Sequence, residues 1–242
     1  MRRQRHVVLT LLSVLALAGI APSCGGTETG NPPFAPELGG GGYEPTGLTP
    51  DPVLETARVG FEEGTLETCD GARHRLFRGG VIDFVSASVT FAEVFEVPPG
   101  AYCALELLIA ACDDPDRCRT VAPDAITIDG TRTTDDARIE IRDAAPIDAR
   151  LVGDFEVLPE LGALLVAVDR STLTAPLSLG TIPAVSGVVR IDAATNADRL
   201  PLLRDALRSA LTLRRDLDGD ATLDPEELEA APLAEPEGVP AP

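Results

Sequence analysis

The chain has 242 residues, with 39 acidic residues against 20 basic ones, all of them Arg, and a formal charge of −19. The absence of Lys excludes a phosphate-binding Walker lysine and a Schiff-base lysine, and only two His, His6 and His74, exclude a His-rich metal site. An acidic body repels nucleic acid and anionic membrane surfaces, so no nucleic-acid partner is expected. A hydrophobic content of 44% is enough for a globular core with tails.

The N-terminus has the layout of a secretory signal. A basic head with Arg2, Arg3 and Arg5 precedes an apolar run over residues 7–21 and a short polar stretch that ends at Cys24. The apolar run is about 15 residues, shorter than the roughly 20 that a membrane-spanning helix needs. Residues 1–23 are therefore predicted to be a cleaved signal peptide.

Residues 21–24, Ala-Pro-Ser-Cys, resemble a bacterial lipobox. Such boxes usually carry Leu at the first position, where this chain has Ala21, and Pro22 is unusual at the second. The segment that follows, Gly-Gly-Thr-Glu-Thr-Gly-Asn-Pro, resembles the start of a group of Gram-negative cell-envelope lipoproteins. The resemblance implies export, lipidation of Cys24, a membrane partner through that anchor, and an outer-membrane lipoprotein, since Gly25 rather than Asp follows the cysteine. The alternative is an ordinary signal peptide with an unmodified Cys24.

Both ends of the mature chain are rich in residues that resist ordering. Residues 24–52 contain many Gly and Pro, including the tetraglycine at 39–42, and cannot bury enough apolar surface to offset their entropy. We expect a lipidated, flexible tether there. Residues 231–242, rich in Pro, Ala and Glu, are expected to be a disordered tail.

The middle of the chain predicts strands. Short apolar runs broken by turn residues occur at 81–97, 101–111, 126–128, 138–142, 149–157, 164–169 and 187–191. The run at 138–142 alternates polar and apolar residues, which is typical of a half-buried antiparallel strand. Because no long helix intervenes, the chain is predicted to be mainly β, with an antiparallel β-sandwich domain over residues 53–195.

After that domain the apolar period changes. Six leucines recur at mostly helical spacing, which predicts a helix over residues 198–214: Leu200, Leu202, Leu203, Leu207, Leu211 and Leu213. This helix leads into an acidic loop, and the two form a C-terminal unit over residues 196–230.

Four cysteines remain after Cys24. Export to an oxidising compartment makes two disulfides the expectation, and three pairings are possible. A local Cys112–Cys118 bridge is favoured because these residues flank a short Pro-containing loop, which pairs Cys69 with Cys103. A metal site on the four cysteines is the disfavoured alternative, since no Cys-x-x-Cys pair is present.

Residues 216–227, Asp-Leu-Asp-Gly-Asp-Ala-Thr-Leu-Asp-Pro-Glu-Glu, resemble an EF-hand calcium loop. Calcium takes 6–8 oxygen ligands, and acids at alternate positions of a tight loop supply them. The sixth position, normally Gly because its φ is positive, is Ala221, where a left-handed backbone costs roughly 1–2 kcal/mol. The resemblance implies carboxylate ligands, a backbone carbonyl at the seventh position and a bidentate Glu at the twelfth: Asp216, Asp218, Asp220, Thr222, Asp224 and Glu227.

No catalytic motif accompanies these features. His74 lies between two Arg without a nucleophile elbow, so the chain is interpreted as non-enzymatic. The sequence predicts a calcium-binding envelope lipoprotein that is a structural or interaction module, open to a protein partner. The alternative is a ligand-binding or carrier β-sandwich in which the acidic loop is incidental.

Overall fold

The computed structural model describes residues 32–44, 51–111, 124–160 and 162–238. Over these residues the protein is mainly β, which confirms the predicted fold class, with three short α-helices: α1 (Arg170–Thr174), α2 (Leu200–Ala210) and α3 (Pro225–Glu229). Single 3-10 turns lie at Ala175–Leu177, Leu179–Thr181 and Ala197–Arg199. The strands are β1 (Leu38–Tyr43), β2 (Val53–Thr68), β3 (Arg73–Asp83), β4 (Ser88–Val94), β5 (Gly100–Ile109), β6 (Ile126–Thr131), β7 (Arg138–Asp143), β8 (Ile147–Val157), β9 (Leu164–Asp169), β10 (Val188–Ile191), β11 (Leu211–Arg215) and β12 (Glu235–Pro236).

The long strand β2 is shared by two layers of the larger sheet. Its first half pairs with β6, its second half pairs with β5, and β3 runs along its other edge. The change occurs at Gly60, whose N–H donates to the carbonyl of Ala125 and whose carbonyl accepts from Ala110. From β6 the sheet continues to β7 and β10, and from β5 it continues to β8 and β12. This branching gives an open, sandwich-like fold.

A separate three-stranded sheet has the order β1-β9-β11. In it β1 runs parallel to β9, from Leu38 opposite Leu164 to Tyr43 opposite Asp169, whereas β11 is antiparallel to β9. In the larger sheet β10 is also parallel to its neighbour β7. The predicted antiparallel sandwich thus also contains two parallel pairs, so the sheets are mixed.

The tether predicted over residues 24–52 is interrupted by β1. The tetraglycine lies within this strand, and Gly39, Gly40 and Gly41 are buried. At these residues the prediction failed because it treated glycine, which has no side chain to bury, as unable to pack. Here the strand packs closely because glycine has no side chain. Residues 24–31 and 45–50 of the predicted tether, the signal segment 1–23 and the Cys24 lipidation site lie outside the described residues.

The C-terminal predictions are corrected in two places. The helix ends at Ala210, and the chain continues as β11, in which Leu211 and Leu213 are buried as strand residues. The predicted disordered tail over 231–242 is ordered as far as residue 238, since Ala234 bridges to Leu213 and β12 pairs with β8. Residues 239–242 lie outside the described part.

The strands enclose one connected apolar core, in which Phe61, Phe77, Phe84 and Tyr102 are fully buried. The predicted Cys69–Cys103 disulfide is present and joins the region after β2 to β5. Cys112 and Cys118 lie outside the described residues. Within the described ranges, no helix has the length and apolar character that crossing a bilayer requires.

Candidate calcium site

The acidic loop connects β11 to α3 at one end of the smaller sheet. Strand β11 delivers Asp216, whose N–H donates to the carbonyl of Ala163 at 3.0 Å. Helix α3 delivers Glu227 from its first turn. The two residues at the ends of the predicted ligand set are thus fixed by regular secondary structure, while the loop between them supplies the rest.

Asp216 is 2% exposed, and its carboxylate holds the turn together. One oxygen accepts the N–H groups of Asp218 (3.2 Å) and Gly219 (2.7 Å), and the other accepts that of Ala221 (3.0 Å). Burial by itself raises the pKa of this carboxyl, but the N–H donors of Gly219, Ala221 and Asp218 outweigh it and bring the pKa below its usual range. Asp216 is therefore ionised at neutral pH, as a metal ligand must be.

Glu227 is 1% exposed and closes the loop from the other side. Its two oxygens accept the N–H groups of Leu217 (3.0 Å) and Asp224 (2.9 Å). Asp224 is the N-cap of α3 and accepts the N–H of Glu226 at 2.7 Å, so Asp224 and Glu227 form a capping box. The Asp-x-x-Glu spacing is a sequence signal for this second role, which the sequence analysis did not use.

Three of the predicted ligands meet. Carboxylate oxygens of Asp216, Asp218 and Glu227 lie within 4.8 Å of one another. Within the described part of the chain, no Arg or His side chain forms an ion pair with Asp216 or Glu227. Burial, and then the nearby carboxylates of Asp220 and Asp224, raise the pKa of Asp218. A hard, all-oxygen donor set with excess negative charge fits a calcium ion.

The remaining predicted ligands have other partners. Asp220 is exposed, and its carboxylate accepts the N–H of Thr222 at 2.8 Å and also the Thr222 hydroxyl. Asp224 caps α3 as described. The cluster of three carboxylates does not include Asp220 or Asp224, and the carbonyl of Thr222 stays a predicted ligand.

The backbone of the loop has the turn that the EF-hand resemblance implies. Ala221, at the sixth position, has φ of 58°, and Gly219, at the fourth, has φ of 84°. Both residues donate their N–H groups to Asp216. Ala221 thus adopts the left-handed conformation that its position demands, although it carries a Cβ.

The loop lies directly on glycines that the sequence analysis missed as site residues. A Cβ placed on Gly39 would collide with the carbonyl oxygen of Ala221, and one on Gly41 would come within 3.1 Å of the Leu223 side chain. Gly162, with φ of 75°, leaves only 2.6 Å between such a Cβ and the carbonyl oxygen of Asp216. Close approach of two backbones is the reason that glycine is needed at Gly39 and Gly162, whereas Gly41 leaves room for the Leu223 side chain.

Arg214 holds the far end of α3. Its side chain donates to the carbonyls of Glu227 (2.7 Å), Leu228 (3.3 Å) and Ala230 (2.9 Å), and the residue is 7% exposed. Its guanidinium also lies over the ring of Tyr43, 5.7 Å from the centroid. A cation at the carbonyl end of a helix is favourable, and this one links α3 to β1.

A groove of about 520 Å³ lies elsewhere, across β2, β5 and β8. Its basic residues are paired with acids: Arg73 with Glu106, and Arg150 with both Glu106 and Glu67. The side-chain hydrogen bond to Arg150 lowers the pKa of Glu67. These charges neutralise one another, so the groove offers less unbalanced charge than the acidic loop.

Comparisons with known proteins assign no family. No known family and no curated protein matches the chain. Among solved structures, the fold is similar to MbnP from Methylosinus trichosporium, with 13% sequence identity and a TM-score of 0.37 over 68% of this chain and 82% of that chain. At that score the two folds overlap only loosely, so the similarity assigns neither ligand nor activity to this chain.

Proposed function

We propose that the chain is a non-enzymatic, calcium-binding lipoprotein of the cell envelope, anchored in the outer membrane through Cys24. The acidic loop over residues 216–227 binds the ion and fixes the C-terminal segment, which makes the protein a structural or interaction module. One observation carries the calcium assignment: Asp216 and Glu227 are at most 2% exposed and lie with Asp218 in one carboxylate cluster.

The charge of this cluster supports a cation. Two like charges about 5 Å apart repel by roughly 3 kcal/mol at an effective dielectric constant of about 20. Backbone N–H groups offset part of the cost for Asp216 and Glu227, and a divalent cation would offset the rest. Each carboxylate oxygen of Glu227 accepts one backbone N–H and keeps a lone pair for the ion.

The donor set favours calcium over magnesium. Calcium accepts 6–8 oxygens in irregular geometry, whereas magnesium requires a near-ideal octahedron and gives up its water reluctantly. We assign Asp216, Asp218 and Glu227 to the ion. Asp220, Asp224 and the carbonyl of Thr222 are the further ligands that the loop resemblance implies, and the two carboxylates would have to exchange their present partners for the ion. Weak binding, with a dissociation constant of about 10⁻⁴ to 10⁻³ M, is sufficient for an extracellular module.

Thermal melting tests the assignment on the unlipidated chain that begins at residue 25. Millimolar calcium is expected to raise the melting temperature, because an ion that binds only the folded state stabilises it by linkage. Magnesium at the same concentration is expected to have a smaller effect.

Two variants make the test specific. Glu227→Gln removes the buried ligand charge and is expected to abolish most of the calcium shift, whereas Glu226→Gln removes the same charge from an exposed neighbour and is expected to preserve it. Gln at residue 227 can still accept a hydrogen bond at the N3 position of a capping box, so the fold should persist. An equal calcium shift in both variants would refute the ligand assignment.

A further inference from the structure

We infer that calcium binding and the docking of β1 are thermodynamically coupled, so that the bound ion stabilises the docked strand. The inference rests on the proposed function of the loop and names its regulatory consequence. It assigns the tetraglycine of β1 a role that its composition alone does not suggest.

The first contact that carries the inference is between backbones. Gly39 lies against the carbonyl of Ala221, and Gly41 lies against Leu223, with no room for a side chain at Gly39. The N–H of the same Ala221 donates to Asp216. Displacement of β1 therefore removes the support on one side of the turn that holds a carboxylate of the cluster.

A second contact reaches the opposite end of the loop. The ring of Tyr43, at the end of β1, lies under the Arg214 guanidinium, and Arg214 donates to the carbonyl of Glu227. Strand β1 thus contacts the middle of the loop through Gly39 and Gly41, and Tyr43 is linked through Arg214 to Glu227 at its end. An ion that fixes Asp216 relative to Glu227 stabilises both contacts at once.

The strand itself is poised to undock. Among the strands that the structure describes it pairs with β9 alone, and four consecutive glycines lose more backbone entropy on ordering than any other residues would. By linkage, if docking of β1 strengthens calcium binding, then calcium strengthens the docking of β1 by the same free energy.

Hydrogen exchange on the chain from residue 25 tests the coupling, with calcium and with a chelator. Calcium is expected to slow exchange in Leu38–Tyr43 by at least about tenfold, and Asp218→Asn is expected to abolish this slowing. Asp218 is exposed, so its replacement should leave the fold intact.

Glycine variants test the contact itself. Gly39→Ala is expected to weaken calcium binding by about tenfold and, in calcium-free protein, to speed exchange of the Gly219 and Ala221 amides. The matched control is Gly180→Ala, since a Cβ on Gly180 meets nothing within 4 Å and its φ is not positive. If Gly39→Ala does not fold, Gly41→Ala makes the milder test against Leu223.

The outcomes separate the two claims. No calcium binding by the wild-type chain would overturn the proposed function, and with it the calcium-dependent coupling. Calcium binding with unchanged exchange in β1, and equal affinity in Gly39→Ala and Gly180→Ala, would overturn the coupling alone. Unchanged loop amides in calcium-free Gly39→Ala would contradict the contact on which it depends.

Discussion

Ala221 occupies the loop position at which glycine is most needed. The spacing of the acids identified this residue from the sequence, and its φ of 58° agrees with that expectation. A left-handed backbone costs an alanine roughly 1–2 kcal/mol, which the three N–H bonds to Asp216 must offset. The loop therefore holds local strain at its tightest point.

Ala221→Gly is expected to stabilise the calcium-free protein. Relief of the left-handed strain exceeds the added entropy of glycine in the unfolded chain, so the free energy of unfolding should rise by about 0.5–1 kcal/mol. Urea unfolding in the presence of a chelator measures it. The matched control is Ala230→Gly, because Ala230 is exposed with an ordinary φ of −69° and has no such strain to lose. Equal changes in both variants would contradict the prediction.

The site could be predicted from sequence only where ligand spacing is local. Asp216, Asp218 and Glu227 follow from positions within one loop, and the structure brings them together. Arg214 could not be found in this way, because the carbonyls that it binds are positioned by the fold of the chain after the loop. The role of Arg214 depends on tertiary packing, which local sequence does not show.

At the scale of elements, β1 is the largest correction. Composition predicted a tether, because glycine disfavours strands through its entropy and lack of side-chain packing. The structure inverts that argument, since a close approach between β1 and the loop admits no Cβ at Gly39. Whether a glycine run is a flexible segment or a closely packed strand depends here on a loop more than 170 residues further along the chain. Local composition does not reveal that loop.

Removal of β1 is expected to destabilise the fold. A chain that begins at residue 53 lacks the partner of β9 and leaves that strand with an open edge, whereas a chain that begins at residue 32 retains it. The shorter chain should melt at least about 5 °C lower, or aggregate, as followed by circular dichroism. Equal melting temperatures for the two chains would show that β1 is dispensable.

The end of α2 shows a second limit of periodicity. Leu200, Leu203 and Leu207 are buried at helical spacing, and Leu211 extends the same spacing by one more turn. Beyond Ala210, however, Leu211 and Leu213 alternate with Thr212, which is the period of a strand. The helical and strand patterns overlap at Leu211, and pairing of β11 with β9 decides between them.

For the whole molecule, the sequence was most informative about the fold class and the disulfide. Short apolar runs broken by turn residues predicted a mainly β chain. Export predicted disulfides, and the favoured local pairing of Cys112 with Cys118 left the Cys69–Cys103 bridge that is present. Parallel pairing of β1 with β9 and of β10 with β7 was missed, because it joins segments far apart in sequence and leaves no local pattern.

The net charge of −19 affects the stability of the whole molecule. Self-repulsion of an acidic body disfavours the compact state, and a bound divalent cation reduces it where the carboxylates are most crowded. Most of the described Arg side chains are paired with acids or carbonyls away from the loop, as Arg204 is with the buried Asp143. We therefore expect a cation at the loop to stabilise the fold.

Calorimetric titration of calcium into the chain from residue 25 tests the central claim most directly. The account predicts saturable binding of about one ion per chain, weakened at least about tenfold in Asp218→Asn and largely preserved in Glu226→Gln. Absence of saturable heat from the wild-type chain at millimolar calcium, or equal affinity in the two variants, would contradict it.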